Sequence, residues 1–492
     1  MKLDRKILNV ILLSWGYAVA FSIQTWFHQV SDSNDTWEGE KRRIIFDIAF
    51  IICIIIAPSY VTLSGTSVSI LTSYICHVFY ISSVVGPLRC NQKLNYSGSA
   101  ALGLGAALAI VAQGRCLTEN STSRTIHRHA WIFWLSYQIF LLSRNILASK
   151  PLLMGIYEIL GLTIIQPITV NFALIVIVSI TSGLALREPS REYSSGGLEC
   201  IPNGKVIEPQ EPSVGPFFTA WKPLKDFFAL IVSSKMLLLS IMLGYAGLMK
   251  AFQFDRYIDL ETDEKADFYT VPIGEIFGAL FSAFWFCNKN GDSAMIVFIG
   301  LVMLATSYSF STINVLHKED SFWRNPEELS QGKLNYYRAM TLLERFSFGF
   351  GDACFHTQIY SLLGALFSKN SAPAFALAGL YYWVGYSCGY NYVTKWQLHS
   401  QVKFFLATGI LAAISVALVE ILYANRGSDH ETENEFLKSK ETSGKFSKEI
   451  PPEIKMLYAG FNNKEKLEEI PRDIPISVDV PEVEILEILS EK

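Results

Sequence analysis

Charge is what this 492-residue chain has least of: only 17% of its residues are Asp, Glu, Lys or Arg. Soluble domains carry roughly 25%. The deficit is concentrated in runs such as Ile44 to Ser73 and Gln166 to Leu186. No basic block marks a nucleic-acid surface. The sequence has no Cys-x-x-Cys spacing, so the eight cysteines indicate neither a metal site nor a disulfide framework; most sit inside apolar runs, as Cys53, Cys76, Cys354 and Cys388 do. No phosphate-binding loop, dinucleotide fingerprint, nucleophile elbow or hydrolytic triad appears. The sequence therefore points away from an enzyme, and nothing in it calls for a cofactor or metal.

What remains is hydrophobic: half of the residues are apolar. A membrane-crossing helix needs roughly 20 such residues in a row. The pattern predicts an all-α polytopic membrane protein with about twelve spans, near 7–27, 44–63, 67–86, 98–114, 130–148, 158–186, 233–253, 268–287, 294–315, 340–368, 372–393 and 403–424. The first run follows "MKLDRK" without a convincing cleavage site, so it reads as a retained helix. The spans divide into an N-terminal six-helix bundle over 1–186 and a C-terminal one over 226–424. A cytosolic linker over 187–225, rich in Pro, Gly and Ser, separates them, and a polar tail over 425–492 reads as disordered. Within the tail, "YAGF" fits a tyrosine-based sorting signal, and the apolar run near "VEILEIL" suits a transient helix.

Orientation is read from loops. The sequons at Asn34 and Asn95 are glycosylation candidates on loops that share one side, together with the acidic stretch from Phe254 to Asp267. A third sequon, at Asn120, falls on the other side beside Arg115, Arg124 and Arg128. Both termini are expected in the cytosol, with the chain in the plasma membrane or an endosomal membrane.

Four residues in the tenth expected span share a stripe. Arg345, Gly349, Asp352 and His356 have offsets of 0, 4, 7 and 11, which at helical pitch fall on one face, and Asp352 and His356 lie one turn apart. An acid at mid-membrane costs on the order of 2.5–3.5 kcal/mol, so the stripe belongs against a neighbouring helix or a water-filled interior. One reading makes Asp352 a proton or cation site with His356 beside it; the other makes them a satisfied pair that locks two helices. Glu275 is the other mid-span acid, again either a substrate or ion residue or a helix contact. It lies between Gly274 and Gly278, at a spacing that favours close packing, as do Gly349 and Gly351. Lys250 reads as a residue that snorkels to the interface. Gln113, at the expected end of the fourth span with Gly114 and Arg115 after it, reads as part of a cytosolic gate or as a helix end. The aromatic clusters "HAWIFWLSYQ" and "LYYWVGYSCGY" read as interfacial belts or bundle packing, or as a stacking surface for a ligand. Two six-span halves invite a search for repetition: "GLGAALAIVAQG" in the fourth span and "GFGDACFHTQ" in the tenth both open Gly-x-Gly and reach a glutamine about ten residues on.

Taken together, "AQGRCLTENS", "IFWLSYQ", "MLLLSIMLGYAGL", "PIGEIFGALF", "GFGDACFHTQIYSLLGALF" and "SAPAFAL" resemble the unc-93-like branch of the major facilitator superfamily, over about residues 7–424. The resemblance implies the major facilitator fold, two pseudo-symmetric six-helix bundles around a central cavity. For function it implies either a regulatory or trafficking partner of another membrane protein, such as a potassium channel or an innate immune receptor, or a transporter of a small solute. Carried over by motif, Gly349, Gly351, Asp352, Thr357 and Gln358 match in the tenth span. Pro373, Ala374 and Phe375 match in the eleventh, and Gln113, Gly114, Leu117 and Thr118 in the fourth. His356 stands where the family has asparagine, and Arg115 replaces an uncharged residue. The second loop, "LSGTSVS", lacks the Asp and Arg residues of the general facilitator latch, which weakens the case for proton-coupled transport. The candidate intramembrane site is thus Asp352, His356, Glu275, Gln358 and Arg345.

Overall fold

A computed structural model describes residues 4–33, 37–85, 92–122, 125–147, 216–259, 264–287, 292–319 and 331–424. Twelve α-helices run through them. The first five are α1 (Arg5–Ser33), α2 (Trp37–Ser64), α3 (Thr66–Val85), α4 (Gln92–Glu119) and α5 (Ile126–Leu147). Then come α6 (Pro216–Ile231), α7 (Ser234–Asp259), α8 (Glu264–Cys287) and α9 (Ser293–Glu319). The last three are α10 (Gln331–Leu366), α11 (Ser371–Asn391) and α12 (Leu398–Val419), followed by a short π turn over Glu420–Ala424. Eight of the described helices are long and apolar enough to cross a membrane. The expected span at 158–186, the tail with "YAGF", and Asn34 lie outside the described residues.

Local chemistry explains the helix faces and ends. On α2, Ile44, Ile48, Ile52 and Ile56 recur every fourth residue and are all exposed, a ridge suited to lipid rather than to the bundle. α2 stops at Gly65, whose φ of 83° is open to glycine at little cost, and whose N–H closes the helix on Val61 O at 3.1 Å. The free amides that begin α9 are capped from another helix: Glu420 accepts from Ser293 N and Ala294 N, both at 2.8 Å.

Three expectations need correction. α4 runs from Gln92 to Glu119 rather than 98–114, so Gln113, Gly114 and Arg115 lie inside the helix and not at its end. The same extension puts Asn95 in the first turn of α4 instead of on a loop. Residues 216–225, assigned to the linker, are helical as the start of α6, a short amphipathic helix that packs on both α2 and α11.

α1–α5 pack among themselves, as do α7–α12. Among the described residues the two sets meet where α5 packs on α8 and α10, α4 on α11 and α10, and α2 on α11. Glycines allow the closest approaches. Gly274 and Gly278 of α8 face the backbone of Phe346 and Phe350 on α10, where an added Cβ would stand 2.3 and 2.4 Å from a carbonyl oxygen. Gly114 of α4 receives the ring of Phe375 from α11.

Candidate functional site

The polar residues of α10 end up at the junction of the two halves. Asp352 and His356 are buried, with exposures of 3% and 8%. Their i,i+4 spacing brings His356 Nδ1 to 3.0 Å from Asp352 Oδ1, with Asp352 O also in reach at 3.1 Å. On its other side the imidazole is covered by Trp134 of α5, stacked at a centroid distance of 4.4 Å and 9° between planes. Tyr382 of α11 meets the same ring edge-on at 6.2 Å.

Glu275 arrives from α8. It is 4% exposed and accepts a hydrogen bond from Gln138 Nε2 of α5 across the seam between halves. Glu275 and Asp352 interact electrostatically with each other, and Lys250 of α7 acts on both. Lys250 is half-buried: its ammonium lies 5.1 Å over the ring of Phe21 on α1 and donates to Gln253 Oε1 at 2.6 Å. The snorkelling expectation for Lys250 is therefore corrected, because its charge is held by an aromatic face of the opposite half. Around these four groups stand tyrosines from several helices. Tyr17 lies 5.7 Å from Tyr137, and Tyr360 engages both Tyr17 and Gln113.

The remaining expected residues are placed elsewhere. Arg345 is buried two turns earlier on α10, while the basic side chain that meets Asp352 is His356, at 3.0 Å. Gln358 is fully buried but turns to Thr357, whose hydroxyl sits 3.1 Å from Ser282 of α8. Gln113 is buried near Tyr360, so of the three gate residues it is the one that joins the central cluster. Arg115 does something different. It pairs with Glu119 at 2.6 Å and donates through Nη1 to Val61 O and Thr62 Oγ1, while Thr66 donates to Glu119 Oε2 at 2.8 Å. These bonds pin the α2–α3 turn to α4. Among the described residues no group of three metal-ligating side chains occurs.

Sequence reasoning missed Gln138, although it stands in a quoted motif, and Asp47. Asp47 is a single acid in an apolar run, the same signal that singled out Asp352. It accepts a bond from Trp383 Nε1 at 3.1 Å, and one turn earlier Arg43 lies 5.0 Å over the ring of Tyr390. Both ties join α2 to α11.

The family model described as "Ion channel regulatory protein UNC-93" matches residues 41–417. The chain is 28% identical over 442 residues to the UNC93-like protein MFSD11 of Xenopus laevis, covering 85% of this chain and 96% of the frog protein. The Xenopus tropicalis protein of the same name is 28% identical over 447 residues, again 85% and 96% of the two chains. Among solved structures, the E. coli fucose:proton symporter superposes with a TM-score of 0.53 at 11% identity, covering 84% of this chain and 97% of that one. A major facilitator superfamily transporter, FucP, in the outward conformation gives 0.55 at 10% identity, covering 85% and 99%. The described helices thus have the major facilitator fold.

Proposed function

This chain belongs to the UNC-93 family, and from that premise we propose that it is a non-enzymatic regulatory partner of another membrane protein, a cation channel such as a potassium channel being the first choice. The observation that carries the reading is the extent of the family match, 41–417, which takes in both halves rather than one motif. The exposed apolar residues available to a partner include the isoleucine ridge of α2. The test is capture of the tagged protein from its native membranes in mild detergent, followed by co-expression of any near-stoichiometric channel and measurement of its current. A recurrent channel partner whose current changes supports the reading; a preparation with no membrane-protein partner overturns it.

A second reading is favoured by one feature, the convergence of Lys250, Glu275, Asp352 and His356 from both sides of the seam. Such a midplane cluster suits a solute carrier. On that reading Asp352→Asn abolishes uptake while the protein still reaches the membrane. Loss of surface delivery in the same variant assigns Asp352 to structure instead.

A further inference from the structure

The geometry points to a binding site for an organic cation, an arylalkylamine, at the junction of α1, α5, α7, α8 and α10, where the protein's own Lys250 already stands over an aromatic face. The inference goes beyond the channel-partner reading and concerns binding alone, so it holds whether the site moves a solute or only senses one.

Three observations support it. First, two buried carboxylates, Glu275 and Asp352, flank one turn of α5: Gln138 donates to Glu275, and Trp134, four residues earlier, stacks on the imidazole that pairs with Asp352. Two acids buried together need compensating positive charge. The His356 imidazole meets Asp352 at 3.0 Å. Glu275 has a neutral donor as its hydrogen-bond partner, Gln138.

Second, the donor supply is incomplete. Gln138 is 2% exposed, and its Oε1 finds no hydrogen-bond partner among the described residues. A buried acceptor left unmet beside a carboxylate is costly, and an alkylammonium, with its three N–H groups, satisfies such a pair.

Third, the site already accepts an alkylammonium. The Lys250 Nζ rests 5.1 Å above the Phe21 ring. Cations over aromatic faces are the usual means by which proteins hold ammonium ligands. Lys250 also has a partner one turn along its own helix, Gln253 at 2.6 Å, to which its charge stays attached when a ligand takes the ring. The aromatic part of a ligand is provided for by Tyr17, Trp134 and Tyr137, whose rings are tilted neighbours, 5.7 Å apart for Tyr17–Tyr137 and 5.1 Å for Trp134–Tyr137.

The competition between Lys250 and ligand gives a test that misfolding cannot imitate. Full-length protein in nanodiscs is titrated with radiolabelled 2-phenylethylamine, with 2-phenylethanol and phenylacetate as neutral and anionic counterparts. Saturable binding of the amine alone is expected. Lys250→Gln is expected to tighten it by roughly fivefold or more, the low end of ordinary coupling between sites. Asp352→Asn and Glu275→Gln are expected to weaken it by roughly thirtyfold or more, as when one partner of a buried charge pair is removed. No saturable amine binding in either the wild-type protein or Lys250→Gln overturns the inference. So does unchanged or weaker amine binding in Lys250→Gln, and so does Lys250-dependent binding of phenylacetate, which assigns the site to an anion.

Discussion

Gly103 and Gly349 hold the same place in the two halves of the molecule. A Cβ on Gly103 would stand 2.7 Å from Phe46 O and 2.9 Å from Phe50 N of α2; on Gly349, 2.2 Å from Val271 O and 3.0 Å from Glu275 N of α8. In each case the glycine meets a carbonyl and the amide four residues later. Two residues on, Gly105 faces α3 and Gly351 faces α9. The Gly-x-Gly openings of α4 and α10 thus mark a duplicated packing unit, in which Glu275 of α8 holds the place that Phe50 holds in α2.

Replacing either glycine should force the paired helices apart. Gly103→Ala and Gly349→Ala are each expected to cost about 1–3 kcal/mol, the usual range for overpacking. Gly244, with nothing within 4 Å of its added Cβ, is the control, and Gly244→Ala should leave the melting temperature unchanged or raise it. Thermal unfolding followed by fluorescence-detected size exclusion reads all three. A Gly349→Ala variant as stable as Gly244→Ala contradicts the close packing of α10 on α8.

The Asp352–His356 pair should behave as a coupled unit. Removing the imidazole in His356→Ala leaves a buried carboxylate without its hydrogen-bonding neighbour, a loss on the order of 1–3 kcal/mol. Asp352→Asn removes the charge that made the imidazole necessary. The double variant should therefore be less destabilised than the sum of the singles, by about 0.5–3 kcal/mol. Denaturant unfolding with a double-mutant cycle measures the difference. Strict additivity would show that the two side chains do not support each other.

Much of this was legible before the structure, because hydrophobic runs and mid-membrane acids are strong signals. Asp352, His356 and Glu275 stand out as charges in apolar surroundings; in the structure all three are buried, and Asp352 and His356 lie 3.0 Å apart. What pairs with each was not legible, since partners come from distant helices: Glu275 takes Gln138, 137 positions away. Lys250 was misread because its place near a span end suited snorkelling, while Phe21, which receives it, lies on α1. The length of α4 was misjudged because its ends, "QKLNYS" and "RCLTE", are polar.

The α2–α3 turn has no acid or arginine of its own, yet it is held by charge from α4. Arg115 and Glu119 are partly exposed, so their pair contributes only about 0–1 kcal/mol to global stability. Its effect should be local. Arg115→Ala is expected to leave the melting temperature nearly unchanged while speeding hydrogen exchange at the amides of Gly65 and Ser69, which close on Val61 O and Gly65 O. Arg115→Lys should restore little, because one ammonium nitrogen cannot reach both the acceptor that Nε serves, Glu119, and those that Nη1 serves, Val61 O and Thr62 Oγ1. Unchanged exchange in Arg115→Ala would mean that Gly65 alone shapes the turn.

Glycan placement tests the orientation. Asn120, in the turn between α4 and α5, is 1% exposed; its Nδ2 donates to Cys116 O at 2.8 Å and its Oδ1 accepts from Asn9 at 3.0 Å. An amide committed on both sides has no room for a sugar. Asn95 is half-buried in the first turn of α4, which makes Asn34, between α1 and α2 in sequence, the expected acceptor. Enzymatic deglycosylation should therefore shift the wild-type protein, Asn95→Gln and Asn120→Gln on a gel, and leave Asn34→Gln unshifted. Asn120→Gln should also lower stability by about 1 kcal/mol through the lost bond to Asn9. A glycan on Asn34 places the α1–α2 connection outside and the N-terminus, one span away, in the cytosol. A glycan on Asn120 would reverse the molecule in the membrane and at the same time break the contact that ties α1 to α4.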